Sequence, residues 1–482
     1  MNLGIISRNV GIALISNAAF MLLSAIVSAV YGFDSAFSPL LLSSLITFLF
    51  GVFPLIFVRG GKDINTREGL AILMAAWLLS CIFGMLPYIL WGGEFSVVNA
   101  WFESTSGITT TGATILNDIE ALPHGLLFWR SSSHYLGGLG VVVFMMMILP
   151  SFGSVRFRMS KMEMADVSKD NYHYVSDKFI RVVVTVYLGL TVSAILALVL
   201  AGMPLFDAVN HAFSVCATGG FSVKNASIAA YGSVTIEIIL MIFMILASLH
   251  FGLIYASFAS RSFKVFKNPV TKFYLATILV ISVAVGLNLL TGGIIDGFGN
   301  AMRVAFFEVI STISTTGFAI ADTNGWPIFS TLLLLVAAIQ CGCSGSTTSG
   351  LRSDRVWIVN LAARAQIIRL AHPNAVVQVR SGKTLVDGEL LSSVTMYVLL
   401  YLLLTLFFAL IYSFFGFDLL ETLGVSVSMM SNVGPAFGSV GTMSNFAAVA
   451  PLAKWIMGVQ MIIGRLGIYS ALMVLTIFDR RY

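Results

Sequence analysis

The sequence predicts an all-α integral membrane protein with about ten transmembrane helices, and three observations carry that prediction. Of 482 residues, 58% are hydrophobic and only 10% are charged, against roughly a quarter charged in an average soluble domain. The mean hydropathy of +0.94 leaves more apolar side chain than a soluble core of this length can enclose. Stretches such as 182–200 and 394–415 are continuously apolar over about the 20 residues that cross a bilayer as helix, whereas a barrel would show shorter alternating segments. A water-soluble globule is excluded.

Taken in order, apolar stretches long enough to cross fall at 10–31, 39–58, 69–91, 125–150, 180–202, 232–258, 272–292, 327–365, 391–415 and 447–478. The first follows Arg8 with no small-residue cleavage site, so it reads as a retained helix and not a signal peptide. After the first two spans the order is regular. A span is followed by a shorter Gly/Ser/Thr-rich apolar stretch, too interrupted to cross, and then by another span, four times over. The organisation is therefore an extra N-terminal helix pair (1–66) and four units at 67–155, 177–262, 268–368 and 389–482. The third unit has an overlong, broken second helix.

Charge fixes the sides. Arg8, the linkers holding Arg59, Lys62 and Arg67, then 156–181, 261–272 and 352–383, and the tail Arg480 and Arg481 fall on one side by alternation. They contain every Lys and Arg of the 27 except Arg130, Lys224, Arg303, Lys454 and Arg465. The positive-inside rule then puts both termini in the cytoplasm. The net charge of +5 has this distribution as its cause. No basic run is interleaved with aromatic residues, so no nucleic-acid partner is expected. Cys81, Cys216, Cys341 and Cys343 form no disulfide framework, and the C-x-C pair lacks further metal ligands nearby. The patterns of membrane hydrolases are missing as well, so no enzyme is expected.

The four interrupted stretches align on one glycine each. They read F-E-S-T-S-G-I-T-T-T-G to Gly112, N-H-A-F-S-V-C-A-T-G to Gly219, F-E-V-I-S-T-I-S-T-T-G to Gly317 and V-S-V-S-M-M-S-N-V-G to Gly434. A small polar or thiol residue stands three before each (Thr109, Cys216, Ser314, Ser431). The glycines are spaced by 107, 98 and 117 residues, close enough to one period for four copies of a span, re-entrant loop and span. Irregular backbone at membrane depth is tolerated only in a protein interior or beside a water-filled path. A re-entrant helix ending at a glycine presents its carbonyl end, and four such ends around an axis would surround a dehydrated monovalent cation with main-chain oxygen. Close helix packing is the plainer use of such clusters, but four in register favour a pore.

These residues resemble the Trk/Ktr/HKT superfamily of potassium transporters, and within it the TrkH type. T-T-T-G-A (109–113), A-T-G-G-F-S (217–222), S-T-T-G-F (314–318) and N-V-G-P (432–435) are similar to its four pore loops, and H-Y-L-G-G-L-G (134–140) to the opening of the following span. The extra N-terminal pair separates the TrkH type from the shorter Ktr type. The resemblance implies potassium uptake across a bacterial inner membrane, with K+ as the transported ion and no organic cofactor. It further implies one filter per subunit, a homodimer, and cytosolic nucleotide-binding regulatory subunits of the TrkA or RCK kind. Carried over by position, the potassium-binding residues are Thr110, Thr111 and Gly112; Ala217, Thr218 and Gly219; Thr315, Thr316 and Gly317; and Asn432, Val433 and Gly434. In the superfamily a serine at the first filter glycine goes with sodium transport, so Gly112 favours potassium.

The eighth span is interrupted by C-G-C-S-G-S-T-T-S-G at 341–350, where a loop is expected midway across. It resembles the family's gating loop, with Gly342, Gly345, Ser346 and Thr347 as gate residues. Arg465 lies deep in the last span, where a charge needs a protein or water partner. By resemblance it is a pore-side gating charge, a reading compatible with a structural role in which it bonds the free carbonyls of the broken span. The family's acidic residue two positions on is Gly467 here. Glu103 and Glu308 share a position nine before the filter glycine, facing outward water or capping. Glu237 and His250 are expected at opposite interfaces of the sixth span, and His134 is assigned no chemistry. The linkers at 151–178 and 366–389 are candidate docking surfaces. A sodium- or proton-coupled symporter is the competing reading, disfavoured because the repeats run the same way and no midplane carboxylate pair occurs.

Overall fold

The computed structural model describes residues 2–58, 66–148, 172–262, 264–382 and 384–477. Among the described residues the fold is helical, apart from a two-residue antiparallel pairing of β1 (Arg380–Ser381) with β2 (Thr384–Leu385). In chain order the helices are α1 (Leu3–Val30), α2 (Phe37–Phe57), α3 (Thr66–Gly84), α4 (Leu86–Trp91), α5 (Val97–Ile108), α6 (His124–Ile148), α7 (Tyr172–Leu200), α8 (Leu205–Ala217), α9 (Val234–Ser248) and α10 (Phe251–Ala259). They continue with α11 (Lys264–Lys267), α12 (Pro269–Thr291), α13 (Phe298–Ile313), α14 (Ile328–Gln340), α15 (Ser353–Ala371), α16 (Gly388–Ser413), α17 (Leu419–Ser431), α18 (Pro451–Leu466) and α19 (Ile468–Ile477).

Among the described residues six helices are long and apolar enough to cross a membrane: Leu3–Val30, Phe37–Phe57, Arg67–Trp91, Arg181–Leu200, Pro269–Thr291 and Gly388–Ser413. Counting the bent pair α9 and α10 as one span gives seven. The sixth span, expected at 232–258, is this bent pair, in which the chain turns by 102° at Leu249 and His250. The His250 Nδ1 caps the new helix by accepting from the N–H of Leu253 at 3.3 Å. The eighth expected span is two helices separated by residues 341–352, as its glycines and hydroxyl residues led us to expect. The tenth breaks at Gly467, whose φ of +83° ends α18.

Between the spans lie α5, α8, α13 and α17, of 12, 13, 16 and 13 residues. At 1.5 Å per residue none reaches across the ~30 Å hydrocarbon layer. Local chemistry starts them. Ser96 accepts from the N–H of Asn99, and a capping box of Asp418 and Glu421 opens α17. Their C-terminal turns are buried, which is unusual for Ser/Thr-rich sequence and demands internal partners for its polar groups.

Two large apolar clusters hold these short helices. One runs through the second and third units, with Val215, Leu240, Tyr274 and Phe307. The other joins α1 and α2 to the first and last units through Met21, Phe102, Trp129 and Met457. Helix α5 packs on α18, so the first unit meets the last. Lipid-scale exposure of Leu45, Phe53, Leu196, Val280 and Leu406 covers the outside. Of the candidate docking linkers, 151–171 lies outside the described residues, as does the tail with Arg480 and Arg481. The 366–389 segment holds the end of α15 and the small hairpin.

Candidate functional site

All four short helices end in the same backbone figure. The residue after the helical turn is left-handed: Thr110 (φ 55°), Thr218 (54°), Thr315 (56°) and Asn432 (57°). Two residues later comes a glycine at positive φ: Gly112 (83°), Gly220 (86°), Gly317 (79°) and Gly434 (101°). Between them, the N–H groups of Thr111, Gly219, Thr316 and Val433 donate to the carbonyls of Ser106, Ser214, Ser311 and Ser428 at 2.8, 2.9, 2.9 and 3.0 Å. This is a Schellman-like closure, with a non-glycine residue held left-handed at a cost of about 1–2 kcal/mol each.

The dihedrals correct the register of the second unit. Its equivalent of Gly112 is Gly220, one residue after the glycine on which the sequence alignment was anchored. Thr218, Gly219 and Gly220 take the three positions, and Ala217 belongs to the end of α8. Adjacent glycines made either anchor fit the pattern. In the corrected register Ala217, not Cys216, stands three before the glycine. A serine six before it (Ser106, Ser214, Ser311, Ser428) becomes common to all four. The Ser311 Oγ donates to the Phe318 carbonyl at 2.6 Å and the Ser428 Oγ to the Gly434 carbonyl at 2.9 Å, tying helix ends to the chain beyond.

The glycines also meet one another's units in a closed order. A β-carbon on Gly112 would overlap the carbonyl oxygen of Gly219, one on Gly220 that of Thr316, one on Gly317 that of Val433, and one on Gly434 that of Thr111. No side chain fits at any of the four contacts. The carbonyls of Thr111, Gly219, Thr316 and Val433 are thus each packed against the glycine of the preceding unit, with the last unit's Gly434 preceding the first. Asn432 Nδ2 closes the circle again, donating to Thr111 Oγ1 at 2.9 Å and to the Met461 carbonyl at 3.0 Å. Gly112, Gly220 and Gly317 line a cavity of about 120 Å³ that continues to Lys224 and Asn445 in the connecting loops.

Glu103 and Glu308 do not face open water. Both are buried, and both serve the chain that leaves the glycines, which is the capping alternative. Glu103 pairs with Arg130 at 2.8 Å and accepts from Thr114 Oγ1 and the Ile115 N–H. Glu308 accepts from the N–H groups of Ile320 and Ala321 at 2.8 and 3.2 Å. Glu237 forms an ion pair with Arg303 at 2.8 Å. His134, given no role from sequence, is fully buried, stacks on Phe221 with 4.1 Å between centroids, and places Nδ1 3.3 Å from Ser214 Oγ. Its position in an apolar helix was the signal available.

The loop 341–352 is seated against the end of α8. The Thr347 hydroxyl lies 3.1 Å from the Cys216 carbonyl and 3.2 Å from that of Ala247. Gly342 runs close against Ser248, and the Gly345 carbonyl accepts from the Phe251 N–H at 3.0 Å. The Ser346 Oγ donates to the Cys343 carbonyl at 2.5 Å. Arg465 reaches the same loop from α18. Its Nη1 donates to the Thr347 carbonyl at 2.8 Å and to Ser349 Oγ at 2.7 Å, and its Nη2 to the Gly137 carbonyl at 3.1 Å. These partners are neutral dipoles, which orient a guanidinium but leave its charge in place.

The family model for the TrkH cation transport protein matches residues 40–479. The chain belongs to the TrkH family. This is a family of transporters and not of enzymes. Among curated TrkH relatives, the Trk system potassium uptake protein TrkH of Salmonella typhimurium is 33% identical over 99% of each chain, and that of Escherichia coli K12 is 32% identical over the same share. The crystal structure of the potassium transporter TrkH from Vibrio parahaemolyticus superposes with a TM-score of 0.90 at 28% identity, covering 99% of this chain and 100% of that one. The TrkH fold therefore extends over essentially the whole chain.

Proposed function

We propose that this chain is the potassium-translocating subunit of a Trk-type uptake system in a bacterial inner membrane. Its four units form span/pore-loop/span repeats in pseudo-fourfold arrangement around one pore. The observation that carries the reading is the closed order of glycine against carbonyl, which runs through all four units and back to the first. An alkali ion on that axis exchanges lost water for main-chain oxygen from Thr110 to Gly112, Thr218 to Gly220, Thr315 to Gly317 and Asn432 to Gly434. K+ is the transported ion, in keeping with the names of the relatives and with glycine at position 112.

Beneath the filter the 341–352 loop is the gate, with Gly342, Gly345, Ser346 and Thr347 in its path-side turn. Arg465 holds it and sets a positive charge beside the path. Opening requires the loop to leave the end of α8, which exchanges the Thr347 contacts for water. The protein works as a homodimer with both termini cytoplasmic, regulated by TrkA/RCK-type nucleotide-binding subunits that dock on the cytoplasmic linkers.

The test is rubidium flux into proteoliposomes with a set membrane potential. Purified chain should conduct Rb+ in preference to Na+, and Gly112→Ser or Gly317→Ser should lower that ratio. Ratios unchanged in both variants would remove the filter assignment.

A further inference from the structure

The carbonyls of Thr111, Gly219, Thr316 and Val433 are not supported alike. Thr111 carries a side chain whose Oγ1 meets Thr109 Oγ1 at 2.8 Å and Asn432 Nδ2 at 2.9 Å. Thr316 Oγ1 lies 2.8 Å from Ser314 Oγ. Val433 packs with Ala338 and Val427. In each of these units the residue that offers the carbonyl is wedged by its own side chain, which limits rotation of the peptide plane. The second unit has Gly219 there, and glycine has no wedge.

Gly219 lies outside the positive-φ region, so its backbone would accept a side chain. What forbids one is His134. A β-carbon built on Gly219 would fall on the imidazole, and the three nearest atoms to it all belong to that ring. The same ring stacks on Phe221 at 4.1 Å and 11°, and its Nδ1 lies 3.3 Å from Ser214 Oγ. His134 thus touches the second pore segment at its helix end, at its carbonyl-bearing residue and just beyond it. Phe221 is braced in addition by Arg130, whose Cζ stands 4.0 Å from the ring centroid. The imidazole is fully buried, and among the described residues its Nε2 has no hydrogen-bond partner. Its packing, more than its hydrogen bonding, is what the site uses.

We infer that His134 is a positioning residue for ion selectivity: supplied from the neighbouring span, its imidazole substitutes for the side chain that Gly219 lacks and holds the second repeat's carbonyl in the ring. The inference rests on the filter reading. It makes a demand that a general packing role does not, namely that the side chain can be moved from one chain segment to the other. His134→Ala empties the space beside Gly219, and the double variant His134→Ala/Gly219→Thr refills it from the filter itself, recreating the T-T-G of the first and third repeats.

The experiment compares Rb+/Na+ permeability ratios in proteoliposomes for wild type, Gly112→Ser, Gly317→Ser, H134A, G219T and H134A/G219T. H134A should lower the ratio by about tenfold, as expected when one of four ligands is no longer held. G219T alone should lose transport through collision with the imidazole, and the double variant should recover most of the wild-type ratio. A wild-type ratio in H134A, or a double variant no better than H134A, overturns the inference. Should H134A fail to fold, the double variant decides: a folded protein with the wild-type ratio upholds the inference, and a lowered ratio or no folded protein overturns it. Unchanged ratios in both Gly112→Ser and Gly317→Ser would instead remove the filter reading beneath it.

Discussion

Glu103 and Glu308 hold one repeat position yet meet different surroundings, and the difference predicts how each tolerates change. Glu103 neutralises Arg130 where both are at most 1% exposed. Glu103→Gln keeps the shape but strands a buried guanidinium, so it should cost about 3–5 kcal/mol, seen as a large fall in the thermal unfolding temperature in detergent. Glu308 is bonded to main-chain N–H groups. Glu308→Gln retains an acceptor oxygen and should cost no more than about 1–3 kcal/mol. Arg465 tests charge against hydrogen bonding. Arg465→Gln can still donate to the Thr347 carbonyl but carries no charge, so basal Rb+ flux should rise about tenfold or more. One unit charge within about 8 Å at an effective dielectric near 20 contributes about 2 kcal/mol. Arg465→Lys should stay near the wild-type flux, and equal fluxes in both variants would remove the electrostatic role.

Among the elements, the loops after the first two short helices, α5 and α8, are joined by polar contacts outside the spans. Asn225 Nδ2 donates to Asp118 Oδ1 at 2.8 Å and Lys224 Nζ to Glu120 Oε2 at 2.9 Å. The Asn225 bond holds the Asp118 carboxyl below its ordinary pKa, and the Glu120 bond holds the Lys224 ammonium above its own. A depressed carboxyl stabilises the fold above its unfolded pKa and loses that contribution as pH falls through its folded value. A raised ammonium contributes below its unfolded pKa and loses it as pH rises through its folded value. Thermal stability should therefore be flat across neutral pH and decline at both extremes. Asn225→Ala should lower the plateau, and its offset from wild type should shrink in acid to what the lost Ile119 N–H bond to Asn225 Oδ1 leaves; an offset undiminished down to pH 2 would contradict the linkage. The broken elements follow a different rule. The hydroxyl-rich run at 341–350 was readable as a break from composition. The 102° bend at His250 was not, because its flanks are as apolar as a straight span and the turn depends on a histidine cap and on the loop packed against it.

At the scale of the molecule, the four glycine contacts form one circuit, so their substitutions should not be independent. Gly317→Ala and Gly434→Ala each force apart two carbonyl-bearing segments of the same ring. The double variant should lose less stability than the sum of the singles, by about 1 kcal/mol or more, since neighbouring sites couple by such amounts; strict additivity would mean the contacts are separate. Composition and segment length were enough to establish a helical membrane protein, because lipid forces apolar length and internal pairing of the backbone on any chain that crosses it, and the recurring Gly/Ser/Thr stretches led us to expect a fourfold internal pattern. They also pointed to Gly112, Gly317, Gly434, the interrupted eighth span and Arg465. Which of two adjacent glycines takes the left-handed turn, which carbonyl each glycine faces, that Glu103 and Glu308 are buried, and that a histidine fills the space beside Gly219 were decided only by the tertiary structure. These depend on contacts between residues tens to hundreds of positions apart, and no local pattern in the chain records which segments approach closely enough to exclude a single carbon atom.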